Sequence, residues 1–224
     1  MPAARAPPPV TGRAREGLKE EEAYRAFVAI EIPDDLRQRC AALIDRLREH
    51  APGVGWVRPR NLHLTLKFLG TTRPSQAERL SESLAHKAAK LSPFAVSLEG
   101  LGAFPSPRRP RVLWVGIGEG REALSNLAGK VDGAAGKAGF SRETRAFSPH
   151  LTLGRVKMVR VGSVDWPGLI ARLDPGPLGR FTADALTLFR SELGPGGAVH
   201  TPLRRVPLGR RRNSDLPPGA DETS

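Results

Sequence analysis

Asn61-Leu-His-Leu-Thr-Leu-Lys-Phe-Leu-Gly70 and Ser148-Pro-His-Leu-Thr-Leu-Gly-Arg155 carry the same tetrad, His63-Leu64-Thr65-Leu66 in the first stretch and His150-Leu151-Thr152-Leu153 in the second. Each follows a stop signal, Arg60-Asn61 or Ser148-Pro149, and each sits where a strand is expected to begin. Side chains of a strand alternate between its two faces. His63, Thr65 and Lys67 therefore share one face, with Leu62, Leu64, Leu66 and Phe68 on the other. In the second copy His150 and Thr152 face together, and Leu151 and Leu153 turn inward. A strand and then a helix are expected before each copy, so the pattern reads as a duplicated half-domain. Two such strands related by a pseudo-twofold axis present two imidazoles and two hydroxyls across one groove.

Outward from the tetrads, Tyr24-Arg-Ala-Phe-Val-Ala-Ile-Glu-Ile32 alternates as a strand, with Arg25, Phe27, Ala29 and Glu31 on one face. Pro33-Asp34-Asp35 opens a helix whose apolar stripe is Leu36, Cys40, Leu43, Ile44 and Leu47. Cys40 lies on that stripe and reads as a small buried hydrophobe. Ser75-Gln-Ala-Glu78 has the form of a capping box for a second helix, with Leu80, Leu84, Ala88 and Leu91 on one face. Strands are expected at Phe94–Leu101 and Val112–Ile117, joined by the basic loop Pro105–Arg111. A third helix has Leu124, Leu127, Ala128, Val131, Ala135 and Ala138 inside. Its three glycines, Gly129, Gly133 and Gly136, weaken it. Further strands are expected from His150 to about Val159, over Phe181–Ser191 and over Ala198–Val206, with a short segment around Leu169–Leu173. Several strands follow one another directly, which favours an α+β fold with mainly antiparallel sheets over a doubly wound parallel one.

Composition bounds the class. The 39 % hydrophobic and 26 % charged residues suit a globular body. No stretch approaches the roughly 20 apolar residues of a membrane span, and the N-terminus lacks the apolar core of a secretory signal. A single cysteine excludes an internal disulfide, and a cytoplasmic location is the expectation. Residues 1–22 and 209–224 are Pro- and charge-rich and read as disordered tails around a body at 23–208. In each tail basic and acidic residues balance, so the net charge of +12 belongs to the body and favours a polyanionic partner, nucleic acid first.

The paired tetrads fit hydrolysis of a cyclic phosphodiester. Water attacks phosphorus from one side while the leaving oxygen departs from the other. One group must deprotonate the water and another must protonate the leaving group. Histidine suits both roles near neutrality. Thr65 and Thr152 hydroxyls can donate to the non-bridging oxygens, whose charge grows in the transition state. Lys67 or an arginine of the basic loop adds positive charge, and no metal or cofactor is required. Two competing readings stand beside this one: half-buried strands whose His and Thr face solvent, and a basic RNA-binding module whose histidines are contacts only.

Arg25-Ala-Phe-Val-Ala-Ile30, Val57–Gly70, Gly102-Ala-Phe-Pro105, Arg111–Gly116 and Phe147–Arg155 together resemble the bacterial and archaeal RNA 2′,3′-cyclic phosphodiesterases. These were formerly called 2′-5′ RNA ligases and belong to the two-histidine phosphoesterase superfamily. The resemblance spans about residues 24–208. It implies a bilobal fold with one antiparallel sheet per lobe, helices outside and a central cleft. It implies hydrolysis of RNA 2′,3′-cyclic ends to 2′-phosphates. ATP-independent 2′-5′ joining by the same site is the alternative, tRNA fragments are one candidate substrate, and a monomer is the expectation. It assigns His63 as proton donor and His150 as proton acceptor. Where that family usually shows a tyrosine before Thr-x-Leu, this chain has His200-Thr-Pro-Leu203.

The remaining candidates divide. Arg155 follows the second tetrad, where a phosphate contact is expected, although strict alternation points it away from His150. Phe27 and Arg25 share a strand face that either lines the cleft or does not. Trp56 and Trp114 read as core residues, with base stacking the alternative. His50 suits a helix end, His86 a solvated face, and His200 either an ordinary strand position or a substrate contact. Lys130-Val-Asp-Gly133 spells an adenylating-ligase motif but falls within the third helix, where it reads as coincidence.

Overall fold

The computed structural model describes residues 22–157, 164–195 and 197–209. The two tails, Glu22 and Gly209 apart, and the end of the strand expected to reach Val159 lie outside the described residues. The chain runs β1 (Tyr24–Glu31), α1 (Asp34–Arg48), β2 (Val54–Trp56), a 3-10 turn (Pro59–Asn61), β3 (His63–Thr72), α2 (Pro74–Ala88), β4 (Phe94–Phe104), β5 (Val112–Ile117), α3 (Arg121–Lys137), β6 (Leu151–Val156), α4 (Trp166–Leu173), β7 (Pro177–Ala183), β8 (Ala185–Gly194) and β9 (Gly197–Pro207). The strands form two sheets, in the orders β3-β1-β8-β9 and β2-β6-β5-β4-β7. Every strand pairing is antiparallel. No helix among the described residues is long and apolar enough to cross a membrane.

The helix stripes read from the sequence form the core. Leu36, Cys40, Leu43, Ile44 and Leu47 of α1 are all buried. Burial pushes the Cys40 thiol up to about 11, so it is a packing residue and not a nucleophile. The two helices that precede the tetrads exchange sheets. α1 lies between β1 and β3 in the chain but packs on β2 and β7 of the other sheet. α3 lies between β5 and β6 but packs on β3. This exchange explains how two half-domains share one core cluster running from Ala26 to Leu208.

Two expectations need correction. The stretch Phe181–Ser191 is not one strand. It breaks at Asp184, with β7 pairing to β4 in one sheet and β8 to β1 in the other. The face turned to the main core changes parity across the break, from Phe181 and Ala183 in β7 to Leu186 and Leu188 in β8, where Ala185–Phe189 are all buried. The α2 cap also sits two residues earlier than Ser75. Pro74 occupies the first turn, where its missing N–H costs nothing, and Gln76 Oε1 accepts from the Arg73 backbone N at 3.1 Å.

Gly129 and Gly133 stand on the open side of α3, where an added Cβ would meet no atom within 4 Å. Gly129→Ala and Gly133→Ala should each raise the unfolding free energy by roughly 0.5–1 kcal/mol, read as a higher urea midpoint at unchanged slope.

Candidate active site at the paired histidines

A cavity of about 760 Å³ opens between the two sheets. β3 supplies His63 and Thr65 to its wall, β6 supplies Thr152 and Arg155, β1 supplies Phe27 and β9 supplies His200. The parity read from the sequence holds for both tetrads: Leu64, Leu66, Leu151 and Leu153 are buried in the core.

Both imidazoles are anchored in the same way. His63 Nδ1 lies 2.7 Å from the carbonyl oxygen of Asn61, and His150 Nδ1 lies 2.7 Å from that of Ser148, in each case two residues earlier. A carbonyl only accepts, so Nδ1 carries the proton and Nε2 keeps its lone pair in the neutral rings. His63 Nε2 accepts from the Thr65 hydroxyl at 3.0 Å. Asn61 is itself fixed, its Nδ2 donating to the Ala198 carbonyl of β9 at 2.7 Å. Aromatic rings support each imidazole. Phe27 stacks on His63 with centroids 4.7 Å apart, and Phe104 meets His150 edge-on at 4.9 Å. His150 itself is not part of the cavity wall; its strand neighbour Thr152 is.

Burial lowers both histidines. It brings His63 down to about 4, against the opposing pull of the Asn61 carbonyl and with a further push down from His200. His150 is lowered by burial first, offset by the Ser148 carbonyl, with Arg155 adding to the fall.

The face assignments beyond the tetrads are where strict alternation fails. The pairing of β1 with β3 slips between Val28 and Ala29, whose partners are Lys67 and Thr65, leaving Leu66 as an extra residue. The pairing of β5 with β6 slips between Leu113 and Trp114, whose partners are Gly154 and Thr152, leaving Leu153 extra. Both bulges fall on the fourth residue of a tetrad, and each reverses the parity of the strand beyond it. Lys67 is therefore buried and not in the cleft, contrary to expectation. Its Nζ donates to Asp132 Oδ1 and to the Ser141 carbonyl, both at 2.8 Å. Phe68 takes the wall position instead. The same reversal returns Arg155 to the wall, against the alternation that pointed it away. Phe68 and Arg155 are thus repeat equivalents.

Asp132, in the stretch that spells a ligase motif, proves structural. Burial would raise its carboxyl, but hydrogen bonds from Lys67, Glu143 N and Arg142 prevail and hold it at about 2. Of the other candidates, Arg25, Trp56 and His200 line the cavity, as do Arg58 and Lys157, which no sequence pattern singles out. The arginines of the Pro105–Arg111 loop, His50 and His86 do not. Trp114 lies beside His150, with centroids 6.4 Å apart. Among the described residues no carboxylate lines the wall, and no cluster of His, Cys, Asp or Glu is placed to hold a metal ion.

A model of LigT-like phosphoesterases matches this chain twice, over residues 30–114 and 115–200, one match for each tetrad. The chain belongs to the LigT-like phosphoesterase family. Among its relatives is a protein of Methanothermobacter thermautotrophicus named RNA 2′,3′-cyclic phosphodiesterase, 36 % identical over 179 residues, which cover 80 % of this chain and 96 % of that one. Among solved structures, TT0787 of Thermus thermophilus superposes with a TM-score of 0.68 at 29 % identity, covering 84 % of this chain and all of the other. The E. coli LigT structure in complex with 3′-AMP gives a TM-score of 0.66 at 28 % identity, covering 84 % of this chain and 99 % of that one.

Lys67→Met leaves the Asp132 charge without its buried partner. Because Arg142 and the Glu143 N–H still hold that carboxylate, the substitution should lower the unfolding free energy by about 2 kcal/mol. The Asp132 carboxyl sits below its unfolded value, so its contribution is present above about pH 4 and is lost as pH falls toward 2. Urea unfolding across that window should therefore show a shallower acid loss in the variant than in the wild type.

Proposed function

We propose that this chain hydrolyses RNA 2′,3′-cyclic phosphodiester ends to 2′-phosphomonoesters by paired-histidine acid–base catalysis. The observation that carries the reading is the duplicated anchor. Two imidazoles on repeat-equivalent strand starts are each held through Nδ1–H by the carbonyl two residues earlier, which keeps Nε2 for chemistry. The names of the relatives give it independent support.

In the proposed step, water attacks phosphorus and His150 Nε2 takes its proton. The bond from phosphorus to the 3′-oxygen breaks, and His63, protonated at Nε2, gives its proton to that oxygen. The 2′-oxygen keeps the phosphate. Thr65 and Thr152 hydroxyls and the Arg155 guanidinium hold the non-bridging oxygens as their charge rises. Phe27 fixes the plane of His63. Lys67 has no part, because Asp132 and Ser141 engage it.

Two outcomes test the mechanism. His63→Ala and His150→Ala should each lower kcat on a short cyclic-ended RNA by about 10²–10⁴-fold, with binding of a 2′-phosphorylated RNA retained. Retention of wild-type turnover by either variant would remove that histidine from the reaction.

The second outcome is a pH signature. One imidazole must be protonated and the other neutral, so activity falls on either side of the pair's two ionisations. In the free protein both lie below 6.5, His63 at about 4. The kcat/KM profile should thus be a bell with its acid limb near 4 and its alkaline limb below 6.5. A bound phosphate anion favours both imidazolium forms, so the kcat bell should lie at higher pH. Coincident or flat profiles from about pH 4 to 8 would contradict the mechanism.

A further inference from the structure

We infer that the β1/β3 wall of the cavity holds the nucleotide on the 5′ side of the reacting end, with Phe68 stacking its base and Arg25 taking its phosphate. The inference rests on the phosphodiesterase reading of the site and extends it from the terminal nucleotide to the chain that precedes it.

Three observations place this subsite. Phe68 stays 65 % exposed although it belongs to a cavity wall, while nearly all other large apolar side chains of β1 and β3 are buried or half-buried. The bulge at Leu66 puts it there, and its side is propped by Phe27, with ring centroids 6.2 Å apart. A supported ring with a free face beside a polar groove is the element that stacks bases in single-strand binding sites.

Direction comes from the strand register. His63 pairs with Glu31 at one end of β1, Phe68 pairs with Phe27 in the middle, and Arg25 lies at the other end. Arg25 is six residues from the partner of His63, about 20 Å at ~3.3 Å per residue. The 5′-phosphate of a single nucleotide anchored at His63 falls well short of Arg25, whereas that of the preceding nucleotide comes within reach of the long arginine side chain. Beside Arg25 the wall continues through its strand partner Ser191 to Gly194 and Pro195 of the β8–β9 hairpin. None of these lining residues is acidic, and the neighbouring Glu192 is ion-paired with Arg190. Stacking accepts any base, and the class of ligand is therefore single-stranded RNA of two or more nucleotides without sequence preference.

The test compares binding of a tetra-adenylate ending in a 2′-phosphate with binding of adenosine 2′-phosphate, for wild type, Phe68→Ala, Phe68→Trp and Arg25→Gln. Wild type should bind the tetranucleotide about ten-fold or more tightly than the mononucleotide. Phe68→Ala and Arg25→Gln should each remove most of that advantage and leave the mononucleotide within about two-fold, while Phe68→Trp restores it. Arg25→Gln should also make the salt dependence of tetranucleotide binding shallower by about 0.7 in log–log slope, the share of one single-strand phosphate contact. Equal affinity of wild type for the two ligands, or variants that weaken both alike, would overturn the inference. Turnover of a tetra-adenylate ending in a 2′,3′-cyclic phosphate is followed in parallel. Its failure in wild type would sink the hydrolase reading, while the binding comparison still decides the subsite.

Discussion

Alternation along a β-strand, interrupted at the fourth tetrad residue of each repeat, governs how this site is built. Leu64 and Leu66 in one sheet, and Leu151 and Leu153 in the other, are each at most 5 % exposed. Sliding either strand by one residue would bring these leucines into the cavity and bury His and Thr in their place, a loss of several kcal/mol of apolar burial. The core thus fixes the face on which the imidazoles stand. The bulge at the fourth tetrad residue then lets the strand place a further side chain, Phe68 or Arg155, on the same face without disturbing the pair before it.

The two repeats use this shared device for different ends. In the first, the bulge turns a lysine into the protein and an aromatic ring toward the cavity. Lys67 there meets Asp132 and fastens β3 to α3, the helix contributed by the other repeat. In the second, the residue equivalent to Lys67 is Gly154, where a Cβ would come within 2.8 Å of Trp56 and Val54. Only the outward residue remains ionic there, as Arg155. A symmetric pair of imidazoles is therefore set in asymmetric surroundings, His63 more deeply buried and beside His200, His150 beside Arg155. Such asymmetry is what distinct acid and base roles need.

Much of this is legible in the sequence because it is local or periodic. The tetrads, the leucine faces, the stripe of α1 and the inner face of α3 follow from spacing alone, and the structure agrees with each. The features that escape such a reading depend on a partner strand. A bulge is defined by the neighbour's register, so Lys67 stands on the face opposite to the one alternation predicts, and Phe68 stands in the cavity instead of the core. The switch of sheets at Asp184 changes which residues face the main core, from Phe181 and Ala183 to Leu186 and Leu188, but which sheet each half joins depends on its partner strand. Arg58 and Lys157, just past β2 and β6, reach the cavity only because those two strands pair beside it, which no single stretch announces.

The most direct measurement is the position of the phosphate on the product. A short RNA ending in a 2′,3′-cyclic phosphate is incubated with the protein in EDTA, and the terminus is mapped by 31P NMR. Protonation of the 3′-oxygen as leaving group predicts a 2′-phosphate and a free 3′-hydroxyl. A 3′-phosphate, or a cyclic end that persists intact, would contradict the account.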